Sequence, residues 1–395
     1  MDLPAFRALL TPAGQQTLAA AEALAPREVE FLAHFQRLSR SAPPELARAA
    51  LETAILRREA QVKFPFAERL YFTRSALEQA TAYPVALYRA ERYQGFQRVY
   101  DLGCSIGGDA FALALSAPVV GLDRDPLRLA LAQANLRALG LPGALVQADL
   151  RAPLPFELQG SGLFFDPARR AQGRRLFSVQ DYQPPLAVVN EWLARTSALG
   201  VKISPGVKLD ELAPYACEVE FISLHGELKE AALWFGPLRS AERRATLLPG
   251  PHTLAAQQPY DPQVQELPLG EPRAWLYEPD PAVLRAGLVQ DLGFRLGAVQ
   301  LDRDIAYLTA EAHVETPFAR AWRVEAWFPF GLKRLRAELR ARGVGRVTVK
   351  KRGSPLQPEA LIRDLRLKGE AQRVVFLTHL DGQPIVILAF EPFAH

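Results

Sequence analysis

Apolar residues recur at helical spacing through the first sixty positions: Leu18, Ala21 and Leu24, then Val29, Leu32 and Phe35. That period places them on one face of a helix. Pro26 and the Pro43-Pro44 pair interrupt it, so residues 1–62 are expected to form a helical segment in two or three pieces. Tyr71-Phe72-Thr73 reads as a strand-like piece and residues 77–81 as a helix. The period then changes. Short apolar runs (Val99-Tyr100, Val119-Val120-Gly121-Leu122, Ala144-Leu145-Val146, Leu163-Phe164-Phe165) are separated by helix-like stretches. Unbroken apolar runs of this length suit strands buried on both faces. Residues 199–201 predict a fifth such strand, and 218–224 with 231–235 two more, with His225-Gly226 between them. The expectation for 63–250 is an α/β domain on a doubly wound sheet.

Further on, residues 251–272 are rich in Pro, Gln and Leu without a clear period, and predict a linker. Residues 273–320 predict a small α+β (ferredoxin-like) unit with a helix at 281–292. The last part, 321–395, is patterned as strand 323–328, helix 332–342 with Gly343 as its cap, strand 345–350 and helix 358–368. A hairpin, 373–380 with 384–390, then turns at Asp381-Gly382. The order β-α-β-α-β-β predicts a small C-terminal α+β domain.

Length and composition narrow the class. A chain of 395 residues, nearly half of them apolar, can build two or three domains with sizeable cores. Arg outnumbers Lys 39 to 8, yet the formal charge is only +4. The charge is uneven: residues 331–395 hold 13 Lys/Arg against 6 Asp/Glu. Within them Lys350-Lys351-Arg352 ends a strand, and a basic loop on a basic domain suits a phosphate backbone. Two cysteines, Cys104 and Cys217, exclude a disulfide framework and a cysteine-rich metal site, and no metal is expected. The start of the chain has no basic-then-apolar signal, and no run reaches the ~20 apolar residues that span a bilayer. A soluble, cytoplasmic protein is the expectation.

The chemistry gathers at the strand tips. Asp101-Leu102-Gly103-Cys104-Ser105-Ile106-Gly107-Gly108-Asp109 is a strand end, a glycine turn and a helix start. Glycine lets the backbone turn sharply and lets a ligand come close. The spacing G-x-x-x-G-G differs from the G-x-G-x-x-G of dinucleotide binders, and Asp101 would repel a phosphate while welcoming a cation. Asp123, 22 positions later at the second tip, can accept from two ribose hydroxyls. Asp125 and Pro126 then start a helix that Gly140 closes. Asp149, after the third strand, can accept from an adenine amino group.

This arrangement resembles the class I methyltransferases that use S-adenosylmethionine, over roughly residues 71–250. The resemblance implies a Rossmann-like, seven-stranded methyltransferase sheet and S-adenosylmethionine as cofactor. It implies that Asp101, Gly103, Ser105 and Gly107 hold the methionine part, Asp123 and Arg124 the ribose, and Asp149 and Leu150 the adenine, with Thr73 in a segment folded over the cofactor. The stretch Thr73-x-x-x-Leu77-Glu78-Gln79-Ala80-Thr81 is similar to one in a bacterial branch of the class, and more distantly to trimethylguanosine synthases, which act on RNA caps. The tail is similar to the THUMP-like domain behind certain bacterial methyltransferases, and THUMP domains are linked to RNA modification. Together these imply RNA, ribosomal or transfer, as the partner, with Lys350, Lys351 and Arg352 as its contacts.

The fourth tip, Asp166-Pro167-Ala168-Arg169, is where an acceptor is expected. Enzymes that methylate exocyclic base amines carry Asp, Asn or Ser there, then Pro-Pro and an aromatic ring. Asp166 and Pro167 agree; Ala168 and Arg169 depart, although a guanidinium can also stack on a base. Ribose 2′-O methyltransferases instead use a Lys-Asp-Lys-Glu set, which Lys63, Asp166, Lys202 and Glu230 offer in chain order. Asp166, Arg169 and Lys202 are the expected catalytic residues, acting at a base nitrogen or a ribose hydroxyl. Neither cysteine is placed to act as the thiolate that pyrimidine carbon methylation uses. The irregular fourth tip leaves a second reading, a non-catalytic RNA-binding protein that keeps the fold. A third, a small-molecule or protein methyltransferase, leaves the basic tail without a task.

Overall fold

The computed structural model describes residues 1–154, 156–168, 170–171, 174–175, 178–258 and 266–391. The chain forms two compact units: Met1–Glu218 with Glu230–Ser240, and Val219–Lys229 with Ala241–His395.

The first unit is built on β1 (Val99–Leu102), β2 (Val119–Asp123), β3 (Ala144–Gln147), β4 (Gly162–Phe165) and β5 (Leu199–Ile203). β1 pairs in parallel with β2 and β4, β2 with β3, and β4 with β5. Every residue of β1, β4 and β5 is buried, as a strand covered on both faces requires. Of the expected final pair, β6 (Glu218–Leu224) lies in the second unit but for its first residue. β7 (Glu227–Phe235) returns to the first unit at Glu230 and runs antiparallel to β5. The fold is α/β and Rossmann-like, in a sheet of nine strands where seven were expected.

Two helices follow the first two tips. α7 (Gly108–Ser116) starts at Gly107, whose φ of +88° suits only glycine. α8 (Pro126–Leu139) starts as expected: the Asp125 carboxylate accepts from Leu127 N–H and Arg128 N–H, and Gly140 closes it in the left-handed conformation.

The N-terminal residues form α1 (Leu3–Leu9), α2 (Pro12–Ala23), α3 (Phe31–Leu38) and α4 (Pro44–Ala60). Phe6, Leu18, Leu51 and Leu56 share one apolar core with Ile106, Phe111, Leu131 and Leu136 of the sheet domain. Next come α5 (Arg74–Gln79) and α6 (Tyr83–Ala90). Tyr71–Thr73, expected as a strand, is unpaired chain instead. The backbone of Tyr71 is satisfied by Asn135, whose side-chain amide donates to Tyr71 O and also to Ile106 O at 3.0 Å each and accepts from Tyr71 N–H at 2.7 Å. A buried backbone that finds no strand must find a side chain.

The second unit holds β8 (Arg243–Leu248) and β9 (His252–Ala256), with β6 parallel to β8 and β9 antiparallel to it. β9 falls inside the stretch expected as a linker. Seven more strands are β10 (Trp275–Pro279), β11 (Val299–Asp302), β12 (Ile305–Ala310), β13 (Ala319–Pro329), β14 (Val344–Lys351), β15 (Ala371–Leu380) and β16 (Gln383–Ala389). They form one sheet in the order β11-β12-β10-β13-β16-β15-β14, which joins the 273–320 segment to the tail. α9 (Val189–Leu193) belongs to the first unit, and the helix expected at 281–292 is two, α10 (Pro281–Arg285) and α11 (Val289–Leu296). α12 (Leu332–Ala341) and α13 (Pro358–Leu365) cover one face of the sheet, packing Leu335, Leu339, Leu361 and Leu365 on Val375, Leu377, Val386 and Leu388. Trp322 and Phe376 lead the core of the opposite face. The expected turn between β15 and β16 is present, with Asp381 and Gly382 at φ of 46° and 73°. Among the described residues no helix is long and apolar enough to cross a membrane.

Candidate active site

The tips of β1 to β4 open into a cleft of about 730 Å³ within the first unit. Gly103, Ser105, Asp123, Arg124, Asp149, Leu150 and Asp166 line it together, and residues 76–80 and 180–185 close its sides. Gly103 N–H and Cys104 N–H both donate to Leu122 O at 2.9 Å, which fixes the glycine loop on the tip of β2. Gly103 has φ of +88°, and a Cβ there would meet Asp166 O at 2.8 Å. Ser105 is held at φ of +50°, a conformation non-glycine residues seldom adopt. Its N–H donates to Asp123 Oδ2 at 3.0 Å, while Asp123 Oδ1 accepts from Asp125 N–H at 2.9 Å. The second acidic tip thus supports the loop and faces the cleft.

Beneath the loop lies a buried ionic cluster. Arg89 of α6 donates to Asp109 Oδ1 at 2.6 Å and to Thr81 Oγ1 at 3.2 Å. Its Nε stands 2.7 Å from Glu230 Oε1, an ion pair not aligned as a hydrogen bond. Its guanidinium lies 4.5 Å over the Phe164 ring. Lys202, 2% exposed, donates from Nζ to Asp166 Oδ2 at 2.7 Å and to Gln79 O at 3.4 Å. Asp101 is fully buried, and neither of its carboxyl oxygens has a hydrogen-bond partner among the described residues.

These surroundings set the protonation of the acids. Burial pushes Asp101 well above the usual carboxylate range, and the like charges of Asp109 and Asp166 push further than Arg89 and Lys202 pull back. Burial also raises Glu230. Burial opposes ionisation of Asp109 as well, but Arg89 and Lys202 overcome it and hold that group low. Four carboxyls thus face two cations in a dry environment, and one carboxyl is unpartnered. Of the four, Asp109 and Asp166 line the cleft, where a cationic ligand adds to the two cations, while Asp101 lies behind the lining. S-adenosylmethionine, with its sulfonium and ammonium, fits this donor set and a loop that leaves no room for a side chain at Gly103.

A family described as THUMP domain-like matches residues 319–391, and one described as a domain of unknown function matches residues 2–60. An uncharacterized S-adenosylmethionine-dependent methyltransferase of Mycobacterium tuberculosis (strain CDC 1551 / Oshkosh) is 38% identical over 344 residues, 84% of this chain and 92% of its own length. The same figures hold for the protein of strain H37Rv. The chain belongs to the S-adenosylmethionine-dependent methyltransferases. The fold agrees with a crystal structure from Porphyromonas gingivalis W83, provisionally assigned as a methyltransferase, at a TM-score of 0.76 and 22% identity over 93% of this chain and 100% of that one.

In this methyltransferase several expected site residues stand differently from the sequence reading. Thr73 is apart from the cleft lining; its hydroxyl caps α5 by accepting from Ala76 N–H at 3.3 Å. Lys63 Nζ donates to Leu77 O, Glu78 O and Ala80 O at 2.7, 3.1 and 2.8 Å, capping the end of α5 rather than joining Asp166. With Glu230 paired to Arg89, two of the four residues of the Lys-Asp-Lys-Glu set meet. Asp149 is half exposed and engaged by Arg151, which donates to Oδ1 and Oδ2 from Nε at 2.9 and 3.1 Å and from its backbone N–H to Oδ1 at 3.0 Å. Those bonds hold the Asp149 carboxylate below its usual range. Arg169 lies outside the described residues. Burial pushes the thiols of Cys104 and Cys217 up, the latter to about 12, so neither is poised as a thiolate.

The basic loop is less open than its sequence suggests. Lys350 pairs with Glu278 of β10 and lies 4.8 Å from the centre of the Trp322 ring. Arg352 reaches the other Glu278 oxygen at 3.4 Å and lies over Tyr307. Lys351 alone of the three is exposed.

Asp101 gives a pH test. Its value is raised in the folded state, so its contribution to stability is full at acid pH and is lost as pH climbs upward from the ordinary carboxylate range. Asp101→Asn mimics the protonated acid. Its melting temperature should exceed that of the native protein by a few degrees at about pH 8 and match it at about pH 4. Equal melting temperatures at both pH values would show that Asp101 carries no such burden.

Proposed function

We propose that this methyltransferase modifies RNA, ribosomal or transfer, at a base nitrogen presented to Asp166. One observation carries the reading: Asp166 stands in the cleft wall with Oδ2 held by a buried lysine, which leaves Oδ1 to receive a donor. S-adenosylmethionine, when bound, supplies an electrophilic methyl group. Gly103, Ser105 and Gly107 would shape its methionine end, Asp123 would accept from its ribose, and Asp149 and Leu150 would flank its base. The buried cluster places negative charge where the ligand is cationic and needs no reorganisation to do so. Lys202 fixes the direction of Asp166. Asp166 would orient an amine N–H, stabilise the positive charge that grows on nitrogen as the methyl carbon passes to it from sulfur, and through Oδ1 receive the proton that nitrogen then sheds, for release to water. A hydroxyl acceptor needs a base to remove its proton, and with Lys63 capping α5 the set for that chemistry is incomplete. The THUMP domain-like match at 319–391 supports RNA as the substrate class.

The test is transfer of labelled methyl from S-adenosylmethionine to RNA from cells lacking the gene, followed by mass spectrometry of the nucleosides. A methylated base that appears with the enzyme supports the reading. A 2′-O-methyl nucleoside would move the acceptor to ribose, and no incorporation would remove the activity. Cofactor contact is tested separately by calorimetry. Asp123→Ala should weaken S-adenosylmethionine binding by about 1–3 kcal/mol, the worth of hydrogen bonds to a charged acceptor. Unchanged affinity would remove Asp123 from the ribose site.

A further inference from the structure

The exposed side of α12 and α13 is strongly basic. Between residues 332 and 368 the chain places 12 Lys/Arg and 3 Asp/Glu. Arg342, Lys350 and Arg352 are neutralised by Glu338, Glu325 and Glu278. The remaining nine have no carboxylate partner among the described residues. Five of them on or just beyond the two helices, Lys333, Arg340, Arg363, Arg366 and Lys368, are exposed.

Two features separate this face from an ordinary solvated one. First, some of its arginines are held in place. Arg336 donates to Asp364 O at 2.6 Å and Arg340 to Arg366 O at 3.5 Å, so guanidinium groups of α12 are anchored on the carbonyl end of α13. A guanidinium carries five N–H donors, and one such bond leaves the rest of its fork for a ligand. Second, Arg366 ends α13 at φ of +48°, in the left-handed region where glycine is preferred. A long cation kept in a strained position points to work for its side chain.

We infer that the α12–α13 face, rather than the Lys350–Arg352 loop, holds the phosphate backbone of the RNA. This inference rests on the RNA reading above and names the surface that reading requires. Neighbouring cations without counter-charges repel one another, and a row of phosphates removes that repulsion while releasing the counterions of the nucleic acid. Backbone contacts of this kind position an RNA without reading its bases.

The experiment measures binding of the full chain to RNA extracted from cells lacking the gene, across a salt series. Arg340→Gln/Arg363→Gln/Lys368→Gln should reduce the slope of log affinity against log salt by about 2–3, with a loss of roughly tenfold to hundredfold near physiological salt. Arg366→Gly removes a cation and relieves the backbone together. It should bind RNA several-fold more weakly while melting no lower than the native chain, which separates lost contact from lost fold. Lys351→Gln should change binding little. Native affinity and slope in the triple variant, with loss in Lys351→Gln, would overturn the assignment and leave the RNA reading standing. Failure of the native chain to bind RNA at all would overturn both.

Discussion

Asp166→Asn is expected to lower methyl transfer by about 10²–10³-fold while S-adenosylmethionine binding stays within a factor of a few. The size follows from removing one preorganised charge from the atom where charge develops. The choice of asparagine matters, because Lys202 is buried and bonded to Asp166 Oδ2. Alanine would strand that cation, and a buried charge without its partner costs several kcal/mol in its own right. Asparagine still offers Lys202 an acceptor, so the fold survives and the deficit is read in turnover. Calorimetry with the cofactor and single-turnover methylation of RNA measure the two halves. Retained turnover would take Asp166 out of the chemistry. Weak cofactor binding would make it part of the cofactor site instead.

The second large effect concerns stability. Arg89→Met should destabilise the first unit by about 3–5 kcal/mol, since it leaves Asp109 and Glu230 buried without their cation. That is a sizeable fraction of the 5–15 kcal/mol by which domains are usually stable. Burial by itself would disfavour the charge on Arg89, yet the Glu230 and Asp109 carboxylates more than compensate and raise its pKa. The guanidinium therefore stays charged throughout the accessible pH range. Arg89→Lys should recover only part of the loss, because an ammonium cannot reproduce the fork that reaches Asp109, Thr81 and Glu230. Adding Glu230→Gln to Arg89→Met should return some stability by removing one stranded charge. Urea denaturation followed by fluorescence checks all three, with buried Trp192 and Trp234 as reporters in this unit. A loss under about 1 kcal/mol in Arg89→Met would mean that water reaches the cluster.

Which of these features could be read before the structure depended on how local they are. The glycine loop, the Asp125 cap, the Gly140 stop and the Asp381-Gly382 turn are each decided by a few adjacent residues, and all stand as expected. The ionic cluster was legible only in part, because Arg89, Asp109 and Glu230 come from α6, α7 and β7 and meet through the fold. One signal was available: Arg89 is the only charged residue in the eight of α6. Lys350 and Arg352 look free in a linear reading because their counter-charge, Glu278, lies more than seventy positions upstream. Composition misled at His252–Ala256, where a Pro- and Gln-rich setting conceals a strand. Tyr71–Thr73 has the residues of a strand, but the backbone of Tyr71 bonds to the Asn135 side chain instead.

That one asparagine has a wider bearing. By gripping both Tyr71, whose ring meets Phe6 of α1 edge-on, and the turn at Ile106, it couples the amino-terminal module to the ligand-facing end of the molecule. The module cannot be swapped among homologues as an independent cassette. A chimera has to bring its own matching surface of α8, and changes accumulated there during divergence must be answered on the other side of the same joint.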